Sequence, residues 1–289
     1  MALPLSGFTI VRNAIRLDFP VVESIRSLLP LCEEIVVNVG KSDDATMELV
    51  RSVDDPRVQI LEREWDFARR EHVLSSESHR AMRACRHDWG VYIQADEVLH
   101  ESGIPLLREA IEACNLFPVV EGLVVRYHHF FGDPFIEAVN RRWYRREVRA
   151  VRLDPALHIH PFRDAQGFRV GHHHRKVRAR LTEAEMFHYG WTRSADALRG
   201  RRQEDRKLYA MVREPGPEEP VLRWIPGLRR FRGTHPGVAR DWVAAHRDDP
   251  GRTISAPRFR LTDLRFYASD LIERITGEHP FEFRNYTLV

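Results

Sequence analysis

The chain is short of cysteine, has no long hydrophobic run and carries almost no excess of either charge, and each shortage closes off a class of function. Three cysteines, Cys32, Cys85 and Cys114, occur in 289 residues. They are odd in number, far apart and never spaced Cys-x-x-Cys, which argues against a disulfide framework or a zinc knuckle and predicts buried thiols. No apolar stretch approaches the roughly 20 residues of a membrane-spanning helix, so no transmembrane segment is expected. Met1-Ala2-Leu3-Pro4-Leu5 is not a basic region followed by a long apolar stretch, and the expected location is cytoplasmic. The net charge of +3, from 45 basic and 42 acidic residues, is too mild to call for nucleic acid as partner.

What is present is an ordinary globular composition, 43% hydrophobic and 30% charged, enough for one large core or two small ones. The arginines are uneven. Arg141, Arg142, Arg145, Arg146, Arg149 and Arg152 crowd around Trp143-Tyr144, and a second group runs from Arg175 to Arg180. Long arginine side chains cover apolar surface, but guanidinium forks also suit diphosphates and anionic acceptors, with Arg142 and Arg145 the first to test.

The first hundred residues alternate strand and helix periods. Strands are predicted at Ser6–Val11, Ile35–Val39, Val58–Leu61 and Trp89–Ile93, and helices at Phe19–Leu29, Ala45–Val53 and Leu74–Arg86. Such repeats imply a mainly parallel sheet covered on both faces. After a helix at Ile104–Cys114, strands at Val119–Phe131, Trp143–Leu153 and Ala184–Phe187 extend it to a mixed sheet. A charged helix runs from Ser194 to about Val212, Glu214–Pro220 reads as a linker, and the remainder as a helical extension. The predicted units are a core over 1–193, with halves at 1–100 and 101–193, and an extension over 194–289.

Ligands of open α/β sheets collect beyond the carboxyl ends of the strands, so Arg12-Asn13, Lys41-Ser42-Asp43-Asp44 and Gln94-Ala95-Asp96-Glu97 are expected on one rim. Hard cations bound to a diphosphate need only one or two protein carboxylates, which Asp96 and Glu97 can supply. A helix N-cap is the structural alternative for Asp96, and also for Asp43 or Asp44. Asp164 precedes a turn closed by Gly167. His188 lies among aromatics, where a hydrogen-bonded core role competes with a ligand role, and Trp191 could stack a sugar face or plug the core. His172-His173-His174, with His158 and His160 upstream, lacks the ligand spacing of a zinc site and is read as a solvated or acceptor-facing loop.

Taken in order, Ser6-Gly7-Phe8-Thr9-Ile10-Val11-Arg12-Asn13, Gly40-Lys41-Ser42-Asp43-Asp44-Ala45-Thr46 and Tyr92-Ile93-Gln94-Ala95-Asp96-Glu97 resemble the three N-terminal signatures of family-two glycosyltransferases with the GT-A fold. The resemblance covers about the first hundred residues and implies a mixed α/β fold of GT-A type. It further implies sugar transfer from a UDP-, GDP- or dTDP-linked donor to a carbohydrate or other hydroxyl acceptor, in cell-surface polysaccharide or glycan synthesis. By this resemblance Val11, Arg12 and Asn13 face the nucleobase pocket and Asp44 contacts the nucleotide. Asp96 matches the metal-binding acid of the D-x-D element, with Mg²⁺ or Mn²⁺ as cofactor. Gln94 replaces the first acid of that element, which shifts weight to Glu97.

Later segments resemble a small bacterial subgroup in which Arg142-Trp143-Tyr144-Arg145, Asp164-Ala165-Gln166-Gly167-Phe168-Arg169 and Phe187-His188-Tyr189-Gly190-Trp191 line the acceptor half. In inverting members of the larger family a carboxylate takes the acceptor proton, and Asp164 is best placed by order. His188 resembles the histidine that completes the metal or diphosphate shell. Two rivals are a sugar-phosphate nucleotidyltransferase and a non-catalytic protein that binds nucleic acid or an anionic glycan. The first is disfavoured because Val11-Arg12-Asn13-Ala14-Ile15-Arg16 has no glycine.

Overall fold

The computed structural model describes residues 2–209, 221–249, 251–258, 260–276 and 284–289. Its first half follows the predicted alternation. The strands are β1 (Ser6–Val11), β2 (Glu34–Gly40), β3 (Val58–Arg63) and β4 (Trp89–Tyr92), with α1 (Val21–Leu28), α2 (Thr46–Arg51) and α3 (Val73–Ala84) between them. Strands β3, β2, β1 and β4 are adjacent in that order and parallel. Every residue of β1, β2 and β4 is buried, as expected of strands covered on both faces. Alternate residues feed two cores. Val11, Ile35, Val37 and Val91 pack toward α1 and α4, while Phe8, Ile10, Val36 and Tyr92 pack toward α3.

Beyond β4 the sheet turns mixed. A short strand β5 (Glu97–Leu99) and α4 (Gly103–Asn115) precede β6 (Gly122–Phe131), β7 (Asp133–Ala138) and β8 (Arg146–Arg152). Strand β8 inserts antiparallel between β4 and β6. It starts later than the expected Trp143 because Asn140 turns the chain, its Oδ1 accepting from Arg142 N–H and its carbonyl from Trp143 N–H. Strands β9 (Ile159–Phe162) and β10 (Gly167–Val170) form a hairpin at the far edge, leading into the long β11 (Arg175–Trp191). Strand β11 pairs parallel with β6 and antiparallel with β5. The outcome is the mixed, mainly parallel α/β sheet flanked by helices that the sequence implies.

Helix α5 (Ala195–Leu208) is capped by Ser194, whose hydroxyl accepts from Ala197 N–H. The expected linker at 214–220 lies outside the described residues. The C-terminal part, read as helical, holds α6 (Arg240–Ala245) and α7 (Leu264–Thr276), but also two short strands. Strand β12 (Leu228–Arg230) extends β7, and β13 (Tyr286–Leu288) pairs with β11, so this part is joined to the sheet itself. No helix among the described residues is long and apolar enough to cross a membrane.

Candidate functional site

Asp96 sits in the tight turn that links β4 to β5, closed by a hydrogen bond from Glu97 N–H to the Gln94 carbonyl. Strand β5 runs against β11 with Glu97 opposite His188, and Tyr189 N–H donates to the Asp96 carbonyl. That register carries the imidazole of His188 to Asp96, with Nε2 at 3.6 Å from Oδ2. Gly190 makes the approach possible. A β-carbon there would fall 2.6 Å from Asp96 Oδ2 and 2.7 Å from His188 Nε2.

The orientation of His188 follows from a second histidine. His129 is buried, and burial together with neighbouring His188 pushes its pKa well below the ordinary histidine range. The ring is therefore neutral with a single N–H. Its Nε2 lies 2.7 Å from the Tyr144 carbonyl, which can only accept, so the proton is on Nε2 and Nδ1 is an acceptor. His188 Nδ1, 3.1 Å from His129 Nδ1, must then donate, which leaves His188 Nε2 turned toward Asp96. Nothing in the local spacing singled out His129. Its signal is the pair His128-His129 inside an apolar strand, which acquires meaning only through the β6–β11 register.

Asp96 stays ionised. Burial opposes its charge, but His188, then Arg193 and Arg201, hold its carboxyl well below the usual carboxylate range. Arg193 is 1% exposed and spans the Gly190 and Leu17 carbonyls. Desolvation pushes its pKa down to about 10. Arg201 of α5 donates to the Gly190 carbonyl and lies 4.3 Å over the Trp191 ring. Trp191 also meets Phe131 and Trp143 edge-on or tilted, so it is a half-buried packing residue with one face under a guanidinium.

Glu97, expected to share a cation with Asp96, does not. Asp96 belongs to the turn, whereas Glu97 opens β5 on the same face as its register partner His188 and is fully buried there. Its carboxylate accepts from Arg149 Nη2 at 2.8 Å, Tyr127 Oη at 2.8 Å, Arg149 Nε at 3.1 Å and Gln94 N–H at 3.0 Å. Arg149 is 0% exposed as well. With every acceptor direction filled, Glu97 is a structural anion beneath the site. Gln94 contributes backbone, its carbonyl taking the Ser24 hydroxyl and its N–H going to Glu97.

The other two rim loops are brought to the carboxyl ends of β1 and β2, where they bond to each other. Asn13 is fully buried with φ of 54°. Its N–H donates to Ser42 Oγ, its Oδ1 accepts from Asp43 N–H and its Nδ2 donates to Asp43 Oδ2. Both ends of the amide are used in locking the loops, so the expected base contact is replaced by a structural role. Asp44 likewise accepts from Arg16 N–H and from the Thr46 N–H and hydroxyl; the N-cap of α2 is Ala45, without a side-chain cap, so in place of the expected N-cap Asp44 makes an Asx turn just ahead of the helix. The exposed carboxylate on this rim is that of Asp43. Val11 is a core residue. Arg12 lies over Phe67 and pairs with Glu204 of α5 at 2.8 Å, and Glu204 also takes Arg16. Helix α5 thus reaches across the rim.

The arginine cluster lines a cavity of about 510 Å³ between β6, β7 and α7, with Arg126, Arg145, Arg146, Arg229 and Arg284 on its wall against two acids, Glu137 and Glu273. Tyr127, His129 and Trp143 complete it, so it shares His129 with the Asp96 site. Arg145 makes a two-pronged contact with Glu273 of α7. Arg142 is exposed and does not line this wall. Asp164 lies exposed on the β9–β10 turn, where its Oδ1 accepts from Gln166 N–H. The histidine run forms the β10–β11 turn, His160 Nε2 meeting His174 Nδ1 at 2.9 Å. These rings line a second cavity with Arg83, Arg86 and Asp88, near the amino end of β4.

Among the described residues no group of three or more His, Cys, Asp or Glu side chains could hold a metal ion. Asp96 and His188 together could supply two ligands. The aspartate oxygen is what Mg²⁺ or Mn²⁺ takes, and the imidazole nitrogen favours Mn²⁺ of the two. Two protein ligands suffice where phosphate and water fill the other positions, and the clearance left by Gly190 fits such an ion.

No family model matches the chain, and no curated protein matches it. Solved structures similar to it include S. aureus TarS 1-349, at 11% identity over 70% of this chain and 65% of that one, with a TM-score of 0.43. TarS 1-349 in complex with UDP aligns over 44% of this chain and 36% of that one, at 14% identity and a TM-score of 0.37. The complex with UDP-GlcNAc aligns over 44% and 35%, at 13% identity and a TM-score of 0.37. Each match spans less than two thirds of the TarS chain.

Proposed function

We propose that the protein transfers a sugar from a nucleoside-diphosphate donor to a hydroxyl acceptor, with the diphosphate facing Asp96 and His188. The observation that carries this reading is the Asp96–His188 pair, 3.6 Å apart, with Asp96 in the last of three strand-end loops that together resemble a glycosyltransferase signature. Asp96 and His188 would hold Mg²⁺ or Mn²⁺, which when bound supplies positive charge against the departing diphosphate. His129 keeps the His188 proton on Nδ1 and its Nε2 toward the ligand, as a positioning residue. Asn13 and Asp44 fix the loops that shape the nucleoside pocket. Asp43, with an exposed carboxylate on that rim, is the group proposed to meet the ribose.

The arginine-walled cavity next to His129 is proposed for the acceptor; Arg126 and Arg146 pair with Glu183, Arg145 with Glu273 and Arg229 with Glu137, and guanidinium forks held in place this way suit an acceptor that carries an anion beside its hydroxyl. The resemblance, rather than any contact with this cavity, supports the proposal that Asp164, exposed on the β9–β10 turn, takes the hydroxyl proton, with inversion at the anomeric carbon. Thermal melts with UDP-, GDP-, CMP- and dTDP-linked sugars, with and without Mn²⁺, test the reading. One nucleotide class is expected to raise the melting temperature by several degrees at saturating concentration, more so with Mn²⁺, and chelator is expected to remove the increment. Folded protein that no nucleotide stabilises would overturn it.

Gly190→Ala tests the geometry at a single atom. Its methyl group would stand 2.6 Å from Asp96 Oδ2 and 2.7 Å from His188 Nε2 and has to displace one of them by close to 1 Å, and misplacement of about 1 Å at a reacting centre can cost about 100-fold. The expected result is a fall of that order in kcat/KM with a raised Mn²⁺ requirement and intact nucleotide binding in the absence of metal. An alanine variant with unchanged kinetics would remove the pair from the mechanism.

A further inference from the structure

Helix α7 has two faces of opposite use. Inward it buries Phe266 and Ser269, 4% and 2% exposed, and reaches Arg145 through Glu273. Outward, Leu264, Tyr267, Leu271 and Ile275 follow at helical spacing, 54%, 45%, 59% and 75% exposed, with Leu261 at 80% and Ile272 at 43% widening the stripe. At 100° per residue this apolar arc is centred opposite Phe266. A contiguous apolar patch on a soluble surface, unlike scattered single residues, marks an interaction site.

The surroundings of the stripe say which kind. Arg258, Arg260 and Arg265 stand exposed at its amino end. They outnumber the acid among them, Asp263, whose carboxylate accepts from the Arg260 backbone N–H at 3.0 Å. An apolar helix face bordered by arginines complements a layer of anionic headgroups over acyl chains, into which such a helix sinks by its apolar side while lying in the plane of the surface. Thirteen residues in helix are too few to span a bilayer, and enough to lie on one.

We propose that α7 is a membrane-surface helix, which docks the protein on an anionic bilayer by its outward apolar face. The proposal does not depend on the sugar-transfer reading. Co-sedimentation with vesicles of phosphatidylcholine alone, and of phosphatidylcholine mixed with phosphatidylglycerol, tests it on the full chain. Binding to the mixed vesicles is expected, weaker to phosphatidylcholine alone and weakened by salt.

Leu271→Ser with Ile275→Ser, both on the exposed side, is expected to lower vesicle affinity roughly tenfold or more with an unchanged melting temperature. Arg258→Gln with Arg265→Gln is expected to abolish the preference for the anionic lipid. Absence of vesicle binding, or binding that survives the serine pair, overturns the proposal. So does concentration-dependent dimerisation in sedimentation velocity that the serine pair abolishes, because the stripe would then belong to a second copy of the chain.

Discussion

Asp96→Asn is expected to lower the rate of sugar transfer by about 10²–10³-fold, the loss typical of removing one preorganised group that stabilises charge in a transition state, while the fold stays intact. The substitution keeps the shape of the side chain in its turn and removes its charge. In the folded protein Asp96 is the anion that His188, Arg193 and Arg201 hold ionised, so the asparagine leaves three cationic or potentially cationic groups facing a neutral amide. The amide is also a poorer cation ligand than a carboxylate. The proposed mechanism therefore requires two effects together, a fall in kcat and a shift of the Mn²⁺ dependence to higher concentration. Nucleotide binding measured without metal should change little, because the nucleoside loops are locked by Asn13, Ser42 and Asp43 at a distance in sequence from this turn. His188→Ala should show the same pattern at smaller size, since water can fill part of its position. A turnover number and metal dependence unchanged in Asp96→Asn would sink the assignment of this strand end.

The strands that carry the rim were legible because parallel strands buried on both faces are written as uninterrupted apolar runs, as in Ile35-Val36-Val37 and Trp89-Gly90-Val91-Tyr92. Their ends, and hence the location of Asp96, follow from where those runs stop. Strand β11 was legible only at Ala184–Phe187. Its full length, Arg175–Trp191, alternates charged and apolar residues because one face meets solvent, and in sequence it reads as an irregular connection. The partners of the rim residues were hidden for a different reason. His129 meets His188 across 59 residues, and Glu204 meets Arg12 across 192, so both contacts are set by strand register and by the docking of α5, which no local pattern encodes. Asn13 and Asp44 were legible as important and not as structural, because a loop that holds a ligand and a loop that holds its neighbour use the same short polar side chains.

The largest effect on stability is expected at the residue next to Asp96. Glu97 and Arg149 form an ion pair with both side chains at 0% exposure. The guanidinium also donates to the Gln166 and Val148 carbonyls and stacks near Tyr92 and Tyr127. Burial opposes the arginine's charge, yet Glu97 and the surrounding tyrosine oxygens hold its pKa well above the ordinary value, so the cation persists at any pH at which the fold does. Glu97→Gln leaves that cation in the interior without a counter-charge, a change that costs about 3–5 kcal/mol and roughly 10 °C in melting temperature for a chain of this size. Arg149→Met strands Glu97 in the same way, although Tyr127 and the Gln94 N–H still solvate it. Combining Glu97→Met with Arg149→Met removes both charges, so the desolvation cost disappears along with the attraction, and the remaining loss is that of the neutral donors and acceptors left unpaired, about 1–3 kcal/mol each. Urea denaturation of the two single methionine variants and the double should therefore give a double less destabilised than the sum of the singles by about 2 kcal/mol. Strict additivity would mean that the two side chains do not act as a pair. Because Glu97 also takes the Gln94 N–H at the start of the turn, the same pair fixes the backbone on which Asp96 stands, and the double variant should lose part of its transfer rate even at temperatures where it is fully folded.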